Sequence, residues 1–213
     1  QVGMGQKCMM EYYRTNVIGT MHMLERLDYK NFIFASTCQV DEPHVYGTSK
    51  RIGEIAVRQY CGLNDKSHTV FRFGNVVGSA GYLPTNMDGL MYNLIKAKET
   101  GVFNLYGDNY HTPDGSAQRD YIHVMDICHA IEKAIQRPSF VPGAEFKPFY
   151  EYLGHGKLYS VKECIAAFKE VNECDFEVVV QPRREGDPAK VDLKPVSPYM
   201  PLSPFDLKAM MKV

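Results

Sequence analysis

No stretch of the 213-residue chain stays apolar for long enough to cross a bilayer. The longest apolar runs, such as Phe32-Ile33-Phe34-Ala35, fall far short of the ~20 residues that a membrane helix needs. No membrane partner is therefore expected. There is no basic excess either: Lys and Arg number 24 against 25 Asp and Glu, and the formal net charge is −1. Without surplus cations to neutralise a run of phosphates, nucleic acid is not an expected partner. Cys8, Cys38, Cys61, Cys128, Cys164 and Cys174 form no CxxC pair, and their spacings match no zinc site. They are expected as free thiols of a reducing compartment, the cytoplasm, and no metal is expected. No signal peptide is expected at the start. The chain begins with Gln1 rather than Met, so coding sequence upstream of it is expected. Internal repeats and low-complexity linkers are also missing.

Hydrophobic residues make up 45% of the chain, enough for a core of ordinary size. Helical and strand patterns alternate, which predicts an α/β fold. A helix is expected from about Gln6 to Leu27, with Val17, Met21 and Leu24 at helical spacing. Asn31 to Ser36 suits a strand buried on both faces. A helix from Tyr46 should carry Ile52, Ile55 and Ala56 inward, and Thr69 to Phe73 is the next strand. A Gly-rich loop, Gly74 to Tyr82, leads to a helix from Met87 to Glu99 that Gly101 stops. Val102 to Tyr106 is a strand candidate, and Asn109 to Gly115 a polar turn. The helix from Asp126 to Arg137 has Asp126 as its expected N-cap, with Pro138 just beyond. Ser160 and Glu163 have capping-box spacing and open a helix bearing Ile165, Phe168 and Val171. Phe176 to Val180 is the last strand, and Pro195 to Pro204 reads as irregular.

Three segments point to chemistry. The first is Tyr46-Gly47-Thr48-Ser49-Lys50. Four residues apart on a helix, Tyr46 and Lys50 project from one face. A phenol near pKa 10 is a poor base at neutral pH, and a neighbouring ammonium favours its phenolate. Bringing it to about 7 takes about 4 kcal/mol, at about 1.4 kcal/mol per unit. The spacing alone is common in helices that do no chemistry. The second segment is Phe32 to Thr37. It puts hydroxyl residues where a buried strand ends, the place where open α/β sheets bind ligands. Thr37 could equally satisfy loose backbone there. Two weaker signals are set aside. Gly74, Gly78 and Gly81 do not have the order of a dinucleotide fingerprint, and Gly154-His155-Gly156-Lys157 lacks the first Gly and the final Ser/Thr of a phosphate loop. His123 and His129 have no third ligand in view.

The third segment is longer: Tyr106-Gly107-Asp108-Asn109-Tyr110-His111-Thr112-Pro113-Asp114-Gly115-Ser116-Ala117-Gln118-Arg119-Asp120-Tyr121-Ile122-His123-Val124-Met125-Asp126. It closely resembles the stretch of UDP-glucose 4-epimerases written G-x-D-Y-x-T-x-D-G-T-x-x-R-D-Y-I-H-V-x-D. These are nucleotide-sugar epimerases of the extended short-chain dehydrogenase/reductase type, in the NAD-dependent epimerase/dehydratase family. Asn16-Val17-Ile18-Gly19-Thr20, Arg72-Phe73-Gly74-Asn75 and Pro182-Arg183-Arg184-Glu185-Gly186-Asp187 resemble further family segments in the family's order. The resemblance runs from about Tyr12 to Asp187.

That resemblance implies a Rossmann-like parallel sheet with a smaller C-terminal α+β substrate domain. Residues 1–75 would belong to the NAD-binding part and 76–213 mainly to the substrate part, with about 120–137 returning to the former. Thr37, Tyr46 and Lys50 would be catalytic. Asn16, Ser36 and Phe73, with Tyr46 and Lys50, would line the NAD pocket. Asn75, Asn86, Tyr106, Arg119, Tyr121, Arg184 and Asp187 would hold the UDP-hexose. The chemistry suits these types, since arginine forks grip diphosphate and an aromatic ring can cover uracil. The implied reaction interconverts UDP-glucose and UDP-galactose through a 4-keto sugar with NAD, and the implied assembly is a homodimer.

The chain departs from the family in two places. The opening strand, Gly-rich turn and helix that hold the NAD pyrophosphate have no counterpart, so the expected sheet is incomplete. The chain by itself is then expected to be inactive yet to bind UDP weakly. The connection from Thr37 to Tyr46, nine positions, is also shorter than the family's, with Asp41-Glu42-Pro43-His44 as its remnant. Two alternatives follow: a truncated or degenerate relative that binds UDP-sugar or a partner without catalysis, or another nucleotide-sugar epimerase or dehydratase. Dehydratases of this superfamily carry an acid beside the strand-end Thr, where this chain has Cys38.

Overall fold

A computed structural model describes residues 8–82, 84–138, 141–142, 150–191, 194–197 and 203–213. The chain divides into two compact units. One comprises Gln1–Phe73, Cys128–Leu153 and Val196–Met200; the other comprises Gly74–Ile127, Gly154–Pro195 and Pro201–Val213.

In the first unit, β1 (Asn31–Thr37), β2 (Ser67–Phe73) and β6 (Glu151–Leu153) form a parallel sheet in the order β1-β2-β6. The central strand β2 is buried at every position from His68 to Arg72, as expected of a parallel strand covered on both faces. The long helix α3 (Val45–Leu63) connects β1 to β2, the crossover that parallel pairing requires. This is the Rossmann-like α/β arrangement. Leu24, Phe32, Phe34, Val57, Cys61 and Val70 make its core.

The first helix departs from the expected pattern. It consists of α1 (Met9–Tyr13), a π-helical turn (Arg14–Gly19) and α2 (Thr20–Arg26). Its expected start at Gln6 lies outside the described residues. Val17, Thr20 and Leu24 face inward, whereas Met21 is exposed. Thr20 tolerates burial because its hydroxyl donates to the Asn16 carbonyl at 2.9 Å. The inward face of α3 also differs from the expected Ile52-Ile55-Ala56, of which Ala56 packs half-buried against the core. It is Gly53, Glu54, Val57 and Cys61, and Ile55 is exposed. The reason is close packing: a Cβ at Gly53 would lie 2.6 Å from the Phe34 ring and 3.0 Å from the Asn16 carbonyl oxygen.

In the second unit, β3 (Asn75–Val77) pairs in parallel with β5 (Gln118–His123), and β7 (Leu158–Ser160) pairs antiparallel on the other side of β5. A separate parallel pair joins β4 (Val102–Tyr106) to β8 (Glu177–Gln181). Helix α4 (Leu90–Thr100) ends on Gly101 in the left-handed region, as expected. Helix α5 (Val124–Gln136) begins in this unit and runs on into the first from Cys128, and it starts two residues before the expected N-cap. Asp126 therefore lies in its first turn, where its Oδ2 accepts from Ser203 at 2.6 Å. Helix α6 (Val161–Val171) opens on the full Ser160/Glu163 capping box. A short helix, α7 (Leu207–Met211), follows the irregular tail. Leu94, Leu105, Tyr121, Phe168, Phe176 and Met210 are among the residues of this unit's core.

Candidate functional site

The first unit gathers Thr37, Tyr46 and Lys50. β1 ends on Thr37, and α3 begins at Val45, so the connector must turn the chain within a few residues. It does so through successive bonds: Cys38 N–H to the Phe73 carbonyl (3.0 Å), Glu42 N–H to the Gln39 carbonyl (3.1 Å) and His44 N–H to the Glu42 carbonyl (2.8 Å). The shortened connection therefore still brings Thr37 close enough to Tyr46 for its hydroxyl to act on the phenol. Burial pushes the Tyr46 phenol above its ordinary value of 10.0, while the Thr37 hydroxyl pulls it down. Lys50, one turn further along α3, donates to the Ala35 carbonyl at 3.0 Å and lies 5.2 Å from the Phe34 ring centroid. Burial holds its ammonium below the usual lysine value. The ammonium expected to lower the phenol thus holds a backbone carbonyl, so burial decides the direction and the phenol goes up.

Of the residues expected in the cofactor pocket, Asn16 lies on the π-helical turn, a distortion that often marks functional positions. Its Nδ2 donates to Ser49 Oγ on α3 at 3.0 Å. Phe73 closes β2. The Ser36 hydroxyl is committed inward, donating to Glu54 Oε1. Glu54 is 0% exposed and also accepts from Arg72 Nε (2.9 Å) and Nη2 (2.6 Å). The Arg72 guanidinium in turn lies 3.5 Å from the Tyr150 ring centroid. Sequence reasoning missed Glu54, although Tyr46, Lys50 and Glu54 stand at i, i+4 and i+8 on one helix.

The second unit gathers the residues expected to hold substrate. Asn75, Tyr106, Arg119, Tyr121, Arg184 and Asp187 line one open cleft. Asn86 is not among its lining residues. Asp88, Leu90 and Asn93, which the sequence did not single out, are. Arg119 is buried, and its Nη2 donates to Asp187 Oδ1 at 2.6 Å. The Arg184 guanidinium stacks 4.0 Å from the Tyr106 ring centroid. Tyr121 is buried against Cys164, and burial raises its phenol well above the ordinary value. The cleft therefore offers two guanidinium groups, an aromatic face and a carboxylate, the set that a nucleoside diphosphate calls for.

The signals set aside have structural explanations. Gly78 has φ +86°, and a Cβ there would lie 2.1 Å from the His123 ring. The amides of His155 and Gly156 donate to the Asp120 carboxylate at 2.8 and 3.1 Å, so the loop that resembled a phosphate cradle holds an internal anion. Among the described residues, no group of three His, Cys, Asp or Glu side chains could hold a metal, and no helix is long and apolar enough to cross a membrane.

Comparison with known proteins agrees with this geometry. The model of the NAD dependent epimerase/dehydratase family matches residues 5–146. The chain is 33% identical to a UDP-glucose 4-epimerase of Erwinia amylovora over 217 residues, covering 87% of this chain and 62% of that protein. Among solved structures it is similar to a UDP-glucose 4-epimerase from Stenotrophomonas maltophila with bound NAD and formylated UDP-arabinopyranose. The TM-score is 0.79 at 25% identity, covering 99% of this chain and 70% of that one. The Bifidobacterium longum UDP-glucose 4-epimerase in complex with NAD+ and UDP gives a TM-score of 0.77 at 25% identity, with the same coverage. The chain spans about three fifths of the length of the curated relatives it matches.

Proposed function

The chain belongs to the NAD dependent epimerase/dehydratase family, and from that premise we propose that it inverts C4 of a UDP-hexose, interconverting UDP-glucose and UDP-galactose through a 4-keto sugar. The observation that carries this reading is the approach of the Thr37 hydroxyl, at the end of β1, to the Tyr46 phenol, with Lys50 one turn further along the helix of Tyr46. The first unit is assigned to the cofactor and the second to the nucleotide sugar.

The residues of the first unit fit NAD. An ammonium has three donors and Lys50 gives one to Ala35, so it can also hold a ribose hydroxyl. Asn16 is held to the helix by Ser49, Phe73 ends β2, and Ser36 is fixed by Glu54. When bound, NAD supplies the acceptor, and later the donor, of the hydride at C4. Tyr46 takes the proton of the sugar's 4-hydroxyl as the hydride leaves and returns it when the hydride comes back to the other face. The Thr37 hydroxyl pulls the Tyr46 phenol down and so favours the phenolate that this step needs. Cys38, in place of the acid that dehydratases carry, leaves no second proton donor beside Thr37 for loss of water. The test is incubation of the protein with NAD and UDP-galactose. UDP-glucose should appear; its failure to appear in a folded, UDP-binding sample rules the reaction out.

In the second unit, Arg184 and Arg119 are assigned to the diphosphate, Tyr106 to the uracil, Asp187 to the ribose, and Asn75 and Tyr121 to the walls. UDP must then take over contacts that Arg184 makes with Tyr106 and Arg119 makes with Asp187. Arg184→Ala is expected to weaken UDP binding about tenfold or more, since one charge-assisted contact is lost. Isothermal titration of UDP into both proteins measures it, and equal affinities would remove Arg184 from the site.

A second copy of the chain is the proposed partner. Met9, Met10, Ile18, Met21, Met23, Leu27 and Ile55 are all 44% exposed or more, on α1 to α3 or at their ends. Exposed apolar residues on these helices suit an isologous two-fold contact. Sedimentation at micromolar concentration should show a dimer, and Met21→Glu should shift it to monomer. A wild-type monomer would refute the pairing. Free cysteines fit the cytoplasm as the proposed location.

A further inference from the structure

Tyr46 is the second residue of α3, so whatever holds the first turn of that helix also places its phenol. The first N–H groups of a helix have no partners within it, and Ser, Thr, Asp or Asn usually accepts from them. Here the cap is His44, with extended backbone at φ −128° and ψ 157°. Its Nδ1 accepts from the Gly47 N–H at 2.9 Å. A ring nitrogen accepts only while unprotonated, so this bond selects the neutral tautomer with hydrogen on Nε2. Nε2 itself is buried and has no hydrogen-bond partner. The His44 and Tyr46 rings are near parallel, 15° apart with centroids at 6.3 Å. Gly47 is gripped from the same side: a Cβ there would lie 2.2 Å from the Gln39 carbonyl oxygen and 3.0 Å from His44 Cε1.

We infer that His44 is a positioning residue for Tyr46: its neutral imidazole caps α3 at Gly47, and its protonation turns that acceptor into a donor facing an N–H and releases the turn that carries the phenol. The link to catalysis rests on the reading of Tyr46 as the acid–base residue. The groups around it are Glu42 on the connector, Tyr46 on α3, and, next to Tyr46, Tyr12 of α1 and Cys38 at the end of β1. Burial favours the neutral ring and holds His44 below its ordinary 6.5, with Glu42 opposing. The positive end of the helix dipole acts in the same sense as burial. Because the folded state disfavours the imidazolium, the cap contributes fully above the ordinary value. That contribution is lost as pH falls through the lowered one.

The experiment is an NMR titration of the protein carrying 15N-glycine and 13Cζ-tyrosine, from about pH 8 to about pH 5, the range in which histidines titrate. In the wild type, the Gly47 amide and the Tyr46 Cζ signals should shift together. In His44→Asn, whose side-chain oxygen caps without titrating, neither should move over that range. In His44→Ala, Gly47 should exchange its amide hydrogen about five- to tenfold faster at every pH, as for a lost cap. A pH-linked shift of Gly47 that persists in His44→Asn overturns the cap, and a Gly47 shift without a Tyr46 shift overturns the positioning role. The acid limb of kcat should follow the same titration in the wild type and be displaced in His44→Asn; an undisplaced limb also overturns the positioning role. If the signals move as expected while UDP-galactose is not turned over, the cap stands and the epimerase reading falls.

Discussion

Tyr46→Phe is expected to lower turnover of UDP-galactose by about 10²-fold or more while leaving UDP binding intact. In the proposed reaction the hydroxyl moves the proton, and its neighbours tune it. It meets Thr37, and burial has moved its pKa away from the ordinary value. Removing a general base costs about 10²- to 10⁴-fold. The loss should fall on kcat, because the ring remains to pack against Tyr12, whose centroid is 6.0 Å away. The residues assigned to UDP belong to the other unit, so calorimetry with UDP should give the wild-type affinity. Turnover within about threefold of wild type would show that another group moves the proton. An equal loss in UDP affinity would show that the substitution had disturbed the fold instead. The direction of the phenol's shift adds a check. Burial raises it, so before NAD is added its spectroscopic titration should lie above the ordinary 10.0. Lys50 is not among the groups that move the phenol in this structure, so a lowering toward neutrality is expected on binding of a cationic group.

Much of this arrangement could be read from the sequence because it follows simple periods. Phe32 to Ala35 in β1 and Val70-Phe71 in β2 are short apolar segments bounded by polar residues. The capping box at Ser160 and the stop at Gly101 are local chemistry that no tertiary contact needs to assist. β5 was harder for a physical reason. All but the first of its residues, from Gln118 to His123, are buried, Arg119 and Asp120 included, so no alternation marks it as a strand. Its charged residues are tolerated because Asp187 and the His155 and Gly156 amides satisfy them, and these lie 35 to 68 positions away in the chain. The inward face of α3 misled in the opposite way. Ile52 and Ile55 look like core residues, yet close approach to Phe34 required Gly53 there, and a buried ion pair took the next place. For the site, the residue types and their order were legible. What each guanidinium or ammonium touches was not, since Lys50 on Ala35 and Arg184 on Tyr106 depend on packing between distant segments.

The buried pair of Glu54 and Arg72 should have the largest effect on stability. Glu54 is wholly buried on α3, and Arg72 is 8% exposed on β2. With Ser36 on β1 they tie three elements together through the bonds at 2.9 and 2.6 Å and the Ser36 hydroxyl. A charge removed from water is tolerated only while its partner remains. Glu54→Gln keeps the shape but leaves the guanidinium with Asp41, at 3.8 Å and on the surface, as its nearest carboxylate. The expected loss is about 3–5 kcal/mol, measured by chemical denaturation. Arg72→Met should cost about as much by stranding the carboxylate. The double change Glu54→Leu with Arg72→Met should recover most of the loss, because replacing both charges by apolar groups removes the desolvation cost together with the attraction. Single losses below about 1 kcal/mol would mean that water reaches the pair. A double variant as unstable as the sum of the singles would mean that the bonds, rather than the avoidance of a lone charge, hold α3 to the sheet. The two cases differ for the site as well. If the double variant is stable but turnover still falls, the pair's role is to seat Ser36 beside Thr37 and so to fix the strand end on which the Tyr46 hydroxyl rests.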